Sequence, residues 1–180
     1  MRIGLDARTL EAAQLKGIGQ YLQALVDGML RANGGHEYLL FVDPRQAAVP
    51  RAPEHPQVRR VPVEAASDEL WEQWAAPRAA RRLGVEVFHA PANSMALCPS
   101  SPTVLTLHDL AVYDLSKTWG RREHLYWAWI QRAACRRARR IIAPSQYTKE
   151  QIVGRLGVPG DRIAVILNGI SAAFGPRDPQ

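Results

Sequence analysis

The chain has 180 residues, enough for one well-buried domain and too few for two of ordinary size. Hydrophobic residues make up 47% and charged residues 22%, an ordinary globular balance, and no apolar run approaches the roughly 18 residues that a bilayer span needs. The formal charge of +6 is local, because the segment from Lys117 to Arg140 holds eight basic residues against Glu123 alone and the remainder is close to neutral.

The opening Met-Arg-Ile-Gly-Leu-Asp is too short an apolar stretch for a secretion signal, so the chain is expected in the cytosol or at the inner face of a membrane. Cys98 and Cys135 are far apart and suit a reducing compartment. The five histidines form no metal-ligand spacing, and no metal or cofactor is expected.

In chain order, Arg2 to Leu5 predicts a strand. Gly17 to Ala32 predicts a helix, with Ile18, Tyr21, Leu22, Leu25, Val26 and Met29 at helical spacing and Asn33-Gly34-Gly35 as its stop. Tyr38 to Val42 and Val58 to Val63 predict strands across a proline-rich loop. Ser67 is the expected N-cap of a helix carrying Leu70, Trp71 and Trp74, one that accommodates or kinks at Pro77 and ends before Gly84. Strands follow at Val85 to Phe88 and Thr103 to Leu107, then a long helix over about Thr118 to Ala138. Arg140 to Ala143 predicts a strand, Ser145 caps a helix to Leu156, and Ile163 to Leu167 predicts the last strand. Residues 1–170 form the domain, and 171–180 are expected to be a linker or tail.

Strands alternate with helices, and several strands are unbroken apolar runs, the pattern of a parallel sheet covered on both faces. Ligands of such sheets bind beyond the carboxyl ends of the strands. The residues there include Asp6, Arg8, His89 to Asn93, His108, Asp109 and Ser145. Gly17-Ile18-Gly19 opens the first helix, where glycines admit a close ligand and free N–H groups favour a phosphate. With Leu22 in the third glycine position it is not G-x-G-x-x-G, and by itself it equally fits a helix start that tolerates glycine. His108 suits a phosphate contact, a sugar hydroxyl or acid–base work, and equally a histidine satisfied by its loop with Asp109 as a turn cap. His89, close before Pro91, reads as a structural turn. Along the basic segment, Tyr126, Trp129, Ile130 and Ala133 form an apolar stripe expected to be mostly core. The arginines beside it are either solvated or face anionic lipid or a phosphorylated acceptor. No nucleic-acid recognition motif accompanies the charge.

Six stretches occur together in order: Met1 to Arg8, Lys16-Gly-Ile-Gly-Gln-Tyr21, Val87-Phe-His-Ala-Pro91, Thr106-Leu-His-Asp-Leu110, Ile142 to Thr148, and Arg162 to Ile170 with Phe174. The set resembles the N-terminal part of retaining glycosyltransferases of family four, which have the GT-B fold. The resemblance implies a Rossmann-like open parallel sheet of about seven strands with helices on both faces, the N-terminal half of a two-domain enzyme. It implies sugar transfer from a nucleoside-diphosphate sugar to a saccharide, lipid-linked or small-molecule acceptor without a metal, in polysaccharide or glycolipid synthesis. Gly17 and Gly19 would contact the donor diphosphate, His108 would act at the reaction centre, and Asp109 and Asn93 would lie on the acceptor side. The donor-binding C-terminal domain would be a separate part, so this domain alone is expected to be inactive. Two other readings stay open: a non-catalytic module paired with a donor-domain chain, and a dinucleotide-binding enzyme with Asp43 at the second strand end.

Overall fold

The apolar strand runs become the middle of a single parallel sheet. A computed structural model describes residues 1–32, 34–47, 49, 51–114 and 121–169. Its strands are β1 (Arg2–Asp6), β2 (Glu37–Val42), β3 (Val58–Pro62), β4 (Val87–Ala90), β5 (Thr103–Thr106), β6 (Arg140–Ala143) and β7 (Ile163–Val165). They lie in the order β3-β2-β1-β4-β5-β6-β7, and each neighbouring pair is parallel.

The helices are α1 (Gly17–Ala32), α2 (Asp68–Leu70), α3 (Ala76–Arg82), α4 (Ala111–Asp114), α5 (Arg121–Arg137) and α6 (Gln146–Gln151). Successive side chains of β2 show how they are layered. Leu40 and Val42 pack with Leu22 and Val26 of α1. Leu39 and Phe41, pointing the other way, pack with Ala76 and Ala80 of α3. On the α3 face, Leu105 and Ile141 meet Ala134 and Cys135 of α5, Ala138 just past its end, and Ile152 beyond α6. The sheet is therefore covered on both faces, as the alternation of elements requires.

Local chemistry explains most of the boundaries. Ser67 accepts a hydrogen bond from the Leu70 N–H at 3.2 Å and starts α2. The chain then widens into a π-helical turn at Trp71–Ala75 before α3, so Pro77 sits in the first turn of a fresh helix, where its missing N–H costs nothing. Gly84 takes φ +64° to close α3, and the Val85 N–H bonds the Ala80 carbonyl at 3.0 Å. Val85 is thus spent on the helix end. β4 begins two residues later than its sequence suggests, which puts His89 inside the strand rather than past it.

The apolar stripe on α5 is a second departure. Ile130 and Ala133 are buried, but Tyr126 and Trp129 are 43% and 59% exposed. The buried face instead runs along Ile130, Ala134 and Ala138, at spacings of four. The short α4 had no sequence signal. The expected helix start near Thr118 and the tail 171–180 lie outside the described residues. Among the described residues no helix is long and apolar enough to cross a membrane.

Candidate active site at the carboxyl edge of the sheet

The strand order reverses at β1. From there the chain passes to β2 on one side, and it reaches β4 on the other only after crossing the opposite face through α3. In an open parallel sheet, the ligand crevice is expected where the loops leaving the carboxyl ends of two such strands, here β1 and β4, diverge. The β1 loop ends at Gly17 and the first turn of α1. Gln20 makes the first helical bond, to the Lys16 carbonyl at 3.0 Å, so the amides of Gly17, Ile18 and Gly19 precede the helical ladder. The two glycines differ. A Cβ on Gly17 would meet nothing within 4 Å, whereas one on Gly19 would lie 2.7 Å from both the Thr9 carbonyl oxygen and Leu15 Cδ2. Gly19 is required by packing of the helix start on its own loop; Gly17 is open.

His108 follows β5 by two residues, and four groups define its place. Its backbone N–H donates to Asn93 Oδ1 at 2.6 Å. Asn93 is held in turn, with φ 63° and its own N–H on the Thr106 carbonyl at 3.2 Å. Asparagine adopts that left-handed conformation more readily than most residues. The His108 ring nitrogen Nε2 lies 2.9 Å from the Pro91 carbonyl. A carbonyl only accepts, so Nε2 carries the proton and Nδ1 is the nitrogen left for a ligand. In the neutral ring Nδ1 accepts from a hydroxyl; it donates to an oxyanion only when the ring is protonated. The fourth group is Tyr21 of α1, whose ring stands at 85° to the imidazole with centroids 4.8 Å apart.

Behind His108 lies a buried polar chain. The Tyr21 hydroxyl is 3.1 Å from Thr106 Oγ1, and Thr106 Oγ1 is 2.8 Å from His89 Nε2. Burial, with the nearby His108 adding to it, pulls the His89 imidazole down to about 4, so His89 is neutral near pH 7. Burial also raises the Tyr21 phenol, against the opposing effect of Thr106.

On the other face of β1 is an ion cluster. Arg8 Nη2 reaches Asp6 Oδ2 at 2.7 Å and Glu72 Oε2 at 3.1 Å, and its guanidinium lies over the Trp71 ring at 4.2 Å. Ser94 Oγ donates to Glu72 Oε2 at 2.7 Å. Burial lowers the Arg8 guanidinium, but the two carboxylates outweigh it and hold it above its usual value. Burial raises Glu72 despite Ser94 and Arg8. Asp6, Glu72, Trp71 and Met95 help line a cavity of about 20 Å³, which is room for a water and not for a sugar. The cluster ties β1, the π-helical turn and the loop after β4 together beneath the crevice.

The family model of Glycosyltransferase Family 4 matches residues 15–174. The chain belongs to this family. No curated protein matches it. Among solved structures it resembles the wall teichoic acid polymerase TagF, with a TM-score of 0.57 and 14% identity over 93% of this chain and 38% of that one. A glycosyltransferase from Rickettsia africae aligns with a TM-score of 0.47 and 11% identity over 94% of this chain and 43% of the other. The chain therefore spans less than half the length of these two structures.

Within this family four domain, the residues expected from sequence sort into three groups. Gly17 and Gly19 open α1, and His108 touches that helix at Tyr21, two residues past Gly19. Asn93 is next to His108 but spends its side-chain oxygen on the His108 backbone. Asp109 is exposed and accepts from the Ala111 N–H at 3.0 Å, capping α4. Among the described residues no cluster of three or more His, Cys, Asp or Glu side chains is placed to hold a metal. Tyr21, Thr106 and Glu72 carry no sequence signal that marks them as site-forming residues. Tyr21 looked like one more apolar position of α1, and only its contact with β5 reveals the rest.

Proposed function

We propose that this chain is the N-terminal, acceptor-side domain of a retaining glycosyltransferase. The enzyme would move a hexose from a nucleoside-diphosphate sugar to an acceptor hydroxyl in polysaccharide or glycolipid synthesis. The observation that carries this reading is the contact between the first helix and the fifth strand end. Tyr21, two residues past Gly19, meets the His108 ring, and the Pro91 carbonyl occupies Nε2, which supports a shared site for the Gly17 to Gly19 amides and His108 Nδ1.

The chemistry follows from charge. As the glycosidic bond to the donor breaks, the departing diphosphate gains negative charge, and the acceptor hydroxyl oxygen forms the new bond to the anomeric carbon while its proton passes to the departing diphosphate. Amides at a helix start, fixed before the reaction, stabilise that charge without reorganising. The open space at Gly17 supports close approach of a phosphate, with no metal or other cofactor assigned. His108 Nδ1 would hold a hydroxyl at the reaction centre, with Asn93 and Asp109 on the acceptor side of its loop. The donor's nucleotide would be held by a C-terminal domain beyond this chain, and this domain alone would not turn over.

A lipid-linked acceptor and a place at the inner face of a membrane are part of the same reading. Leu125 and Trp129 on α5 are each 59% exposed, with the exposed Arg132 and Arg136 further along the helix. Aromatic and basic side chains displayed together suit an anionic lipid surface. Turnover by the intact enzyme, measured with nucleoside-diphosphate sugars and compared with His108→Ala, tests the core of the reading.

A further inference from the structure

Resting on the reading of His108 as the reacting-centre histidine, we propose that Tyr21 is a positioning residue that locks the His108 imidazole in the orientation that frees Nδ1. Thr106, anchored by His89, holds Tyr21 in place.

A histidine ring has a soft, nearly two-fold torsion about its last bond, and a half turn exchanges the sites of nitrogen and carbon. The bond from Nε2 to the Pro91 carbonyl opposes that turn from one side only. The Tyr21 ring stands across the imidazole at 85° and 4.8 Å, so its face or edge blocks the turn from the other side. Tyr21 could swing away on α1, but its hydroxyl is tied to Thr106 Oγ1 at 3.1 Å. Thr106 is fully buried, and its hydroxyl also meets His89 Nε2 at 2.8 Å. His89 is 3% exposed and paired in the sheet with Leu5 and Val104, so it has little freedom to follow.

The geometry also links two parts of the site. Tyr21 lies two residues after Gly19, at the start of the second turn of α1, and Gly19 is wedged against Thr9 and Leu15. Any shift of the helix start therefore reaches His108 through one ring. Tyr21 is half-buried and acts on the reaction through His108 alone.

Two readouts test this. In this chain, long-range nitrogen–proton NMR of the histidine rings reports the tautomer of His108. The wild type should show a single form protonated at Nε2, Tyr21→Leu should show averaging between forms, and Tyr21→Phe, which keeps the ring but loses the tether to Thr106, should show partial averaging. In the intact enzyme, Tyr21→Leu should lower kcat by about tenfold or more with KM for the donor changed less than about threefold, and Tyr21→Phe, which keeps the ring but not the tether, should recover only part of the loss. Combined with His108→Ala, Tyr21→Leu should cost nothing further, since a residue acting through another is silent once that other is gone. Thr106→Val, nearly isosteric, loosens the tether without touching the ring and should act in the same direction, which keeps the test decisive if Tyr21→Leu folds poorly. A single Nε2 tautomer in Tyr21→Leu with unchanged kcat, or an equal loss on the wild-type and His108→Ala backgrounds, would overturn the positioning role. Near-normal turnover by His108→Ala would instead overturn the catalytic reading of His108 and, with it, any part for Tyr21 in the reaction.

Discussion

Glu72 and Arg8, 64 residues apart in sequence, meet at 3.1 Å beneath the crevice, with Asp6 on the other side of the guanidinium. Asp6, Arg8 and Glu72 side chains are 8%, 12% and 14% exposed, so removing the cation leaves two carboxylates confined together with little water. Replacing Arg8 by methionine should cost about 3 kcal/mol or more of folding stability at neutral pH, the usual penalty for orphaning a buried charge. Urea unfolding of the two proteins measures it, and a loss below about 1 kcal/mol would mean the cluster is solvated.

The two glycines of the first helix should separate cleanly. Gly19→Ala drives a methyl to 2.7 Å from a backbone oxygen that cannot move aside easily, and should destabilise by about 1–3 kcal/mol. Gly17→Ala meets nothing and should leave stability within about 1 kcal/mol of wild type or raise it. In the intact enzyme, however, Gly17→Ala should raise KM for the donor, because the added methyl stands where the diphosphate would approach. Thermal unfolding together with steady-state kinetics checks both halves.

Acid should act through His89. Its unfolded imidazole titrates near 6.5, and in the folded chain burial, then His108, lower it to about 4. Between those values the unfolded chain binds a proton that the folded chain refuses, so stability rises with pH across this window and is fully present above 6.5. The expected contribution is up to about 3 kcal/mol between pH 4 and 6.5. The difference between the pH–stability curves of wild type and His89→Asn isolates it from the carboxylates. A difference that stays flat across the window would show that His89 is charged or solvated in the fold.

These relationships mark the limit of what was legible in the sequence. The helix Gly17–Ala32 was readable because Leu22 and Val26 recur at helical spacing and Gly34 and Gly35 follow, and Ser67 announced its cap by type and position. The parallel sheet was readable from apolar runs such as Leu39 to Val42. His89 was misplaced because His-Ala-Pro looks like a turn, and nothing local says that Val85 closes the preceding helix. The spacing of Trp129 fits an inward stripe, yet α5 turns the small Ala134 to the sheet, as the chain just past its end turns Ala138. Pairings such as Tyr21 with Thr106 span 85 residues and leave no periodic trace.

The outward face of α5 gives a separate expectation. The chain should sediment with vesicles containing anionic phospholipid and much less with zwitterionic ones. Trp129→Ser and Arg132→Glu should each weaken that binding, and added salt should weaken it further. Equal sedimentation with both kinds of vesicle, or none with either, would remove the membrane from the account.

The central claim is that His108, held beside the first helix at the switch point, acts in sugar transfer. Its most direct measurement is the turnover number of the intact enzyme carrying His108→Ala, with a nucleoside-diphosphate sugar and acceptor at saturation. A fall of about a hundredfold or more with the fold intact is expected. A turnover within about threefold of wild type would contradict it.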